Sequence, residues 1–184
     1  EQILHSLMYL ASGNPSDYLY SLPMFFNKRT KINLVELASV KNYEEFLHVL
    51  KGSPYEALLA EHRPKENEKL DLSAIEKTLY DYLYEKFFKA LRKGTDKKVK
   101  DELSEILNAY IDYSNFVRIV RLKRNNSKIK SAILSHGTIK DKHLAQMCSA
   151  ENEEQVFDIM KSTNRGKILS KLKFNYVDEL PDRI

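Results

Sequence analysis

Apolar residues recur at helical spacing along most of the chain, and glycine and proline stand where the runs stop. Leu4, Leu7, Met8 and Ala11 keep the step of an α-helix, and Gly13-Asn14-Pro15 supplies a left-handed cap followed by a residue that cannot continue it. Ser16 to Leu22 and Leu34 to Val40 read as short helices. Asn42 opens an amphipathic segment with Phe46, Leu47, Val49 and Leu50 on its apolar side, ending at Gly52. Ser53 is a cap and Pro54 a first helical residue, so Tyr55 to Ala60 forms the next helix. His62 to Lys69 is polar, contains Pro64, and reads as a linker.

Two longer periods follow. Asp71 caps a helix whose stripe is Leu72, Ile75, Leu79, Leu83, Phe87 and Ala90. Its basic residues Lys86, Lys89, Arg92 and Lys93 collect at the end, where the macrodipole favours them, and Gly94 closes it. Lys97 to Arg124 carries Leu103, Ile106, Leu107, Tyr110, Val117 and Val120. The pair reads as an antiparallel hairpin whose greasy faces must be buried against something else. Beyond it, Asn126-Ser127 is expected to cap a helix from Lys128 to Leu134 that Gly137 ends. Asp141 starts an element containing Leu144 to Cys148, Asn152 opens Glu153 to Lys161, and Ser162-Thr163 leads into Arg165 to Leu172; Phe174 to Ile184 has no helical pattern. The predicted fold class is all-α: a partial short-helix module over 1–62, a long antiparallel helical hairpin over 71–125, and an incomplete second module over 126–184.

The two modules match. A shift of 110 positions lays Leu34 on Leu144, Leu37 on Met147, Ala38 on Cys148 and Asn42 on Asn152. It continues without a gap through Phe46 on Val156, Leu47 on Phe157, Leu50 on Met160, Ser53 on Thr163 and Leu59 on Leu169. Caps fall on caps and core on core, which predicts stacked units that bury one another's faces.

Composition narrows the chemistry. Among 184 residues there are 5 Gly and 5 Pro against 11 Tyr and 8 Phe, too few breakers for a sandwich or barrel. The single cysteine, Cys148, forms no internal disulfide and no CxxC site, and its match to Ala38 reads as a small buried residue. No apolar run approaches the ~20 residues that span a bilayer, and His5 and Ser6 interrupt the opening stretch where a signal peptide would be apolar. A soluble protein of a reducing compartment is expected. Glycines at 13, 52, 94, 137 and 166 build neither a P-loop nor a GxGxxG turn. Histidines at 5, 48, 62, 136 and 143 show no metal-binding spacing, and Glu44-Glu45 and Glu153-Glu154 are first-turn charges rather than acid/base pairs. The sequence therefore offers no catalytic, cofactor or metal site.

Charge is uneven: 12 basic against 13 acidic residues over 1–92, but 18 against 13 over 93–184. The excess is densest between Arg118 and Lys130. Asp112 and Asn115 lie one turn apart in an otherwise apolar stretch and need partners if buried. One reading is a polar network bracing the long helices, built on Asp112 and Asn115. Another is an exposed basic end, Arg118, Arg121, Lys123 and Arg124, that grips an acidic partner or nucleic acid. The aromatic-and-basic interleaving of nucleic-acid surfaces is missing, so no nucleic-acid partner is expected.

These features together resemble a known family. The order is Leu50-Lys51-Gly52-Ser53-Pro54-Tyr55, a long helix with Asp71, Glu76, Tyr80, Tyr82 and Tyr84, then Asp112-x-x-Asn115, Arg121-x-Lys123-Arg124 and Ser135-His136-Gly137. It is similar to the C subunit of archaeal and bacterial V-type ATPase/ATP synthase, which is the d subunit of the eukaryotic vacuolar enzyme. The resemblance implies a funnel-shaped, all-helical, non-catalytic adaptor of the central stalk. Such an adaptor joins the rotating shaft to the membrane rotor ring, peripheral to the membrane on its cytoplasmic side, and binds no nucleotide itself. Family members are longer, so a fragment lacking a complete third module is expected, and Arg165, standing where the first copy has Tyr55, marks the second module as degenerate. A stand-alone helical-repeat module binding protein or RNA is the alternative.

Overall fold

Helix caps set the element boundaries in the computed structural model, which describes residues 1–13, 30–66, 68–94, 96–124 and 129–171. Among them are eight α-helices, two 3-10 segments and no strand. They run α1 (Gln2–Ser12), α2 (Leu34–Leu37), α3 (Tyr43–Val49), α4 (Pro54–Ala60), α5 (Leu72–Lys93) and α6 (Lys97–Arg124). A 3-10 turn (Lys130–Ala132), α7 (Asp141–Ser149), α8 (Glu153–Ser162) and a 3-10 segment (Arg165–Lys171) complete them. The all-α class is as predicted. The expected helix at Ser16–Leu22, the cap at Asn126-Ser127 and the irregular stretch from Phe174 lie outside the described residues.

The chain divides into two compact units, Glu1–Leu79 and Tyr80–Ile184. In the first, Ile3 and Leu7 of α1 meet Leu34, Leu37, Phe46, Leu47, Leu50 and Leu59, with Ile75 from the start of α5. The Ser6 hydroxyl, buried in this core, donates to the Leu37 carbonyl (2.8 Å) and satisfies one of the orphan acceptors at the end of α2. That helix stops earlier than the sequence suggests, at Leu37 rather than Val40. Tyr43 donates its buried hydroxyl to Leu59 O (2.8 Å), and burial pushes its pKa up to about 12 despite the nearby Arg63. The neutral phenol is thus favoured in the folded state. Its contribution to stability is complete below about pH 10 and is lost as pH rises through about 12, on the order of 2 kcal/mol. Urea titrations of wild type and Tyr43→Phe between pH 9 and 12 check this: the variant starts less stable, having lost the hydrogen bond, and shows the shallower alkaline decline.

In the second unit, Phe116, Val117, Ile119 and Val120 of α6 pack with Met147, Val156, Phe157, Met160 and Leu169. Tyr80, Tyr84 and Phe88 of α5 meet Leu107 and Ile111 of α6, so the two helices pack side by side and antiparallel. The repeat is visible in the backbone. Asn42 and Asn152 are both extended N-caps whose side chains accept from the amide three residues on, Glu45 N and Gln155 N, each at 2.9 Å. Reciprocally, the Glu45 and Gln155 side chains accept from Lys41 N and Glu151 N, the amides just before the caps, so the same capping-box-like arrangement, shifted by one residue, recurs 110 residues apart. The same shift extends further back than the sequence pattern reveals. It lays Ile3 and Leu7 of α1 on Tyr113 and Val117 of α6, all four buried.

Three expectations change. Of the helix expected over Lys128–Leu134, the described residues 129–134 show only a 3-10 turn at Lys130–Ala132, because both backbone groups of Leu134 are held by Asn115. Arg165–Lys171 is 3-10 rather than α-helical. Cys148 is half-buried, not buried.

Candidate functional site

The polar residues of α6 gather the segment that follows it. Asn115 receives a hydrogen bond from Leu134 N (2.8 Å) and donates to Leu134 O (3.1 Å), behaving like a strand partner for one residue. One turn earlier, Asp112 is 1% exposed. Its Oδ1 accepts from Thr138 N (2.7 Å) and Ile139 N (2.9 Å), and its Oδ2 from the Thr138 hydroxyl (2.6 Å) and Arg165 Nε (2.9 Å). Four donors on one buried carboxylate meet the condition under which burying charge is tolerated. Gly137 makes the approach feasible: its φ of 113° suits glycine, and an added Cβ would collide with Asp112 Oδ1. On α5, Asp81 accepts from Ser135 N (2.8 Å) and the Ser135 hydroxyl (2.6 Å). The strap from Leu134 to Ile139 is therefore clamped by three side chains of the two long helices.

Arg165 closes the network. Besides Asp112 it forms a two-pronged pair with Glu105, and the Tyr113 hydroxyl donates to its carbonyl (2.8 Å). The hydrogen bond to Glu105, reinforced by Asp112, holds the guanidinium above its ordinary range despite burial. The hydrogen bond from Arg165 holds the Glu105 carboxyl below the usual carboxylate range, and burial pushes the Tyr113 phenol up. A cleft of about 470 Å³ opens beside this network, lined by Glu105, Thr138, Lys140, His143, Asn164 and Arg165 among others.

The four basic residues of the α6 end are spread over separate tasks. Arg118 lies over the Tyr80 ring, 5.6 Å from its centroid, and reaches Ala132 O at 3.5 Å. The Lys123 ammonium donates to Cys148 O (2.7 Å) and Ala150 O, satisfying carbonyls at the end of α7. Arg124 pairs through two nitrogens with Glu153 in the first turn of α8 (3.0 and 2.9 Å). Arg121 is exposed. The roles of Arg165, Glu105 and Asp81 are not legible in the sequence; the one available signal is a lone arginine where the first copy has tyrosine. Among the described residues no group of three or more His, Cys, Asp or Glu is placed to hold a metal ion, and no helix is long and apolar enough to cross a membrane. The chemistry assembled here is structural: charges and amides that fix loops onto helices.

Comparison with known proteins gives a consistent result. A family model described as ATP synthase (C/AC39) subunit matches residues 3–183. The C subunit of the A-type ATP synthase of Pyrococcus horikoshii is 29% identical over 169 residues, covering 89% of this chain and 43% of the relative. The corresponding C subunits of Pyrococcus furiosus and Methanosphaera stadtmanae are 28% and 27% identical, over 72% and 74% of this chain and 36% of each relative. The chain thus spans less than half the length of the curated relatives it matches. No solved structure gives a significant match.

Proposed function

The chain belongs to the ATP synthase (C/AC39) subunit family, and on that premise we propose that it serves as a non-catalytic adaptor of the central stalk in an A/V-type ATP synthase. It connects the rotating shaft to the membrane rotor ring, and so couples ATP hydrolysis or synthesis to proton or sodium transport. It sits peripherally on the cytoplasmic face and takes no cofactor, nucleotide or nucleic acid. In this reading the modules over 1–62 and 126–184 are the arms of a stiff spacer and the hairpin over 71–125 is its rod. The observation that carries the proposal is the family match, which runs from residue 3 to residue 183 and so takes in both units. The clamped strap and the repeated capping arrangement suit a part that transmits torque, since each fixes a loop by charge-assisted or reciprocal hydrogen bonds.

The basic end of α6 is proposed as one contact with the complex. Arg121 is the residue to test, because it is exposed, whereas Lys123 also secures α7 and its reversal would disturb the fold. A tagged chain produced in cells that contain an A/V-type enzyme should co-purify with the shaft and the ring. Arg121→Glu should lower that recovery about tenfold, or about 1.4 kcal/mol, measured on protein whose thermal unfolding is compared with wild type. Recovery of the wild-type chain with neither shaft nor ring overturns the stalk assignment; unchanged recovery of the variant removes only the α6 contact.

A further inference from the structure

The cleft beside the Arg165 network has walls from α6, from the strap and the first turn of α7, and from the turn after α8. Its volume of about 470 Å³ is that of a small-molecule site. The acceptors on these walls are already in use. Both Glu105 oxygens are taken by Arg165, and the Thr138 hydroxyl donates to Asp112 (2.6 Å) while accepting from Arg165 Nε (3.2 Å). The Ser162 hydroxyl donates to Ile159 O (2.6 Å), and the Thr163 hydroxyl lies between Met160 O and Gly166 N. Lys140, His143 and Asn164 also line the cleft, and their side chains have no hydrogen bond or ion pair among the described residues. What the walls have left to offer is therefore mainly donors: an ammonium, a ring nitrogen and an amide.

We propose that this cleft binds a phosphate group, as the free ion or as the end of a small soluble phosphate monoester. The donor surplus decides for an anion: a cation would find both carboxylates of the network paired with Arg165 and only the Asn164 carbonyl open. Arg165 is balanced by Glu105 and Asp112 and brings no surplus charge, so Lys140 supplies the attraction. Lys140 and His143 are the N-cap and the third residue of α7, one turn apart, whereas Asn164 comes from the separate turn after α8. Donors on two segments serve a group whose oxygens point several ways, which a tetrahedral phosphate does more fully than a planar carboxylate. The Arg165 pairs already fix the wall that carries Asn164, so little ordering is lost on binding. The volume exceeds that of one phosphate ion, and a small organic remainder fits as well. The site belongs to the chain by itself and holds or fails independently of the stalk reading.

Amide chemical shifts of the purified, isotope-labelled chain test the proposal, followed while inorganic phosphate or glycerol phosphate replaces chloride at constant ionic strength. Saturable shifts confined to the cleft walls, residues 138–143 and 162–165, are expected with at least one of the two probes. Equal affinity for both means that the phosphate group alone is read; tighter glycerol phosphate means that the organic remainder is held too. Lys140→Met should weaken binding about tenfold, and Asn164→Asp, which keeps the shape and adds a carboxylate, by at least as much. Neither side chain has a described partner to lose, so thermal unfolding without phosphate should match wild type. Shifts that only grow linearly into the tens of millimolar with both probes overturn the proposal. So do saturable shifts that persist unchanged when Lys140→Met and Asn164→Asp are combined.

Discussion

Asp112→Ala is expected to destabilise the second unit by about 3–5 kcal/mol, the range for removing one partner of a buried charged pair. The substitution deletes the acceptor of four hydrogen bonds at once, two of them from the backbone amides of Thr138 and Ile139. It also leaves Arg165 with the Thr138 hydroxyl (3.2 Å) and with Glu105, an exposed carboxylate that solvent screens. Asp112→Asn separates charge from shape. Its amide oxygen still accepts from the two backbone amides, but its amino group faces the Arg165 Nε donor, so a smaller loss, about half, is expected. Urea denaturation followed by circular dichroism measures both, with the transitions of the two units fitted separately. A loss below about 1 kcal/mol for Asp112→Ala would mean that the strap at 137–139 is held by something other than this carboxylate. Glu105→Gln is the comparison at the exposed end. The Glu105 carboxyl is held below its ordinary range, so its contribution is present above that range and is lost as pH falls through the folded-state value. The acid limb of the stability curve should be shallower in Glu105→Gln than in wild type.

The polar positions on α6 stand out in the sequence because an acid and an amide one turn apart interrupt an apolar run, and burial demands partners for both. Their partners cannot be named from it. Backbone amides carry no sequence signature, and Arg165 lies 53 residues away on a segment whose proximity to α6 depends on how α8 packs. Gly137 reads as the end of a helix; it is the residue whose missing side chain lets the strap touch Asp112. The repeat is legible over Leu34–Leu59 because caps and core residues recur there in register. Its extension to α1 and α6 is hidden, since Ile3 and Ser6 in one copy are Tyr113 and Phe116 in the other, alike in burial and unlike in size and polarity. The hairpin follows from two helical periods separated by a glycine turn. The exposure of Leu83, Phe87 and Ile106 does not, because an apolar period fixes which residues share a face and says nothing about whether the chain itself supplies a cover.

Gly166→Ala should be at least as damaging as Asp112→Asn, costing about 3 kcal/mol or more, because it overpacks a site walled by backbone. A Cβ built on Gly166 overlaps the Met160 carbonyl and comes within 2.7 Å of Lys161 Cα, and neither neighbour can rotate aside as a side chain would. The approach is held from both sides by Thr163, whose hydroxyl donates to Met160 O (2.7 Å) and accepts from Gly166 N (3.0 Å). Gly52→Ala gives the contrast. Its φ of 75° is a left-handed value, but nothing lies within 4 Å of the added Cβ, so about 1 kcal/mol of backbone strain is the whole expected cost. The first copy shows what the second has given up. Glu56 occupies the position matching Gly166, inside a regular α-helix that Ser53 and Pro54 start, and its carboxylate accepts from Gly52 N (2.8 Å). In the second copy Thr163 stands for Ser53 with no proline after it, the segment winds as 3-10, and its glycine presses on the end of α8 instead of reaching back with a side chain. That closer approach carries Arg165 to Asp112. Gly166→Ala should therefore also free the Arg165–Asp112 pair, and a double-mutant cycle of Gly166→Ala with Asp112→Asn should show a combined loss smaller than the sum of the two, whereas strict additivity would mean that the glycine contact and the ion pair are held independently.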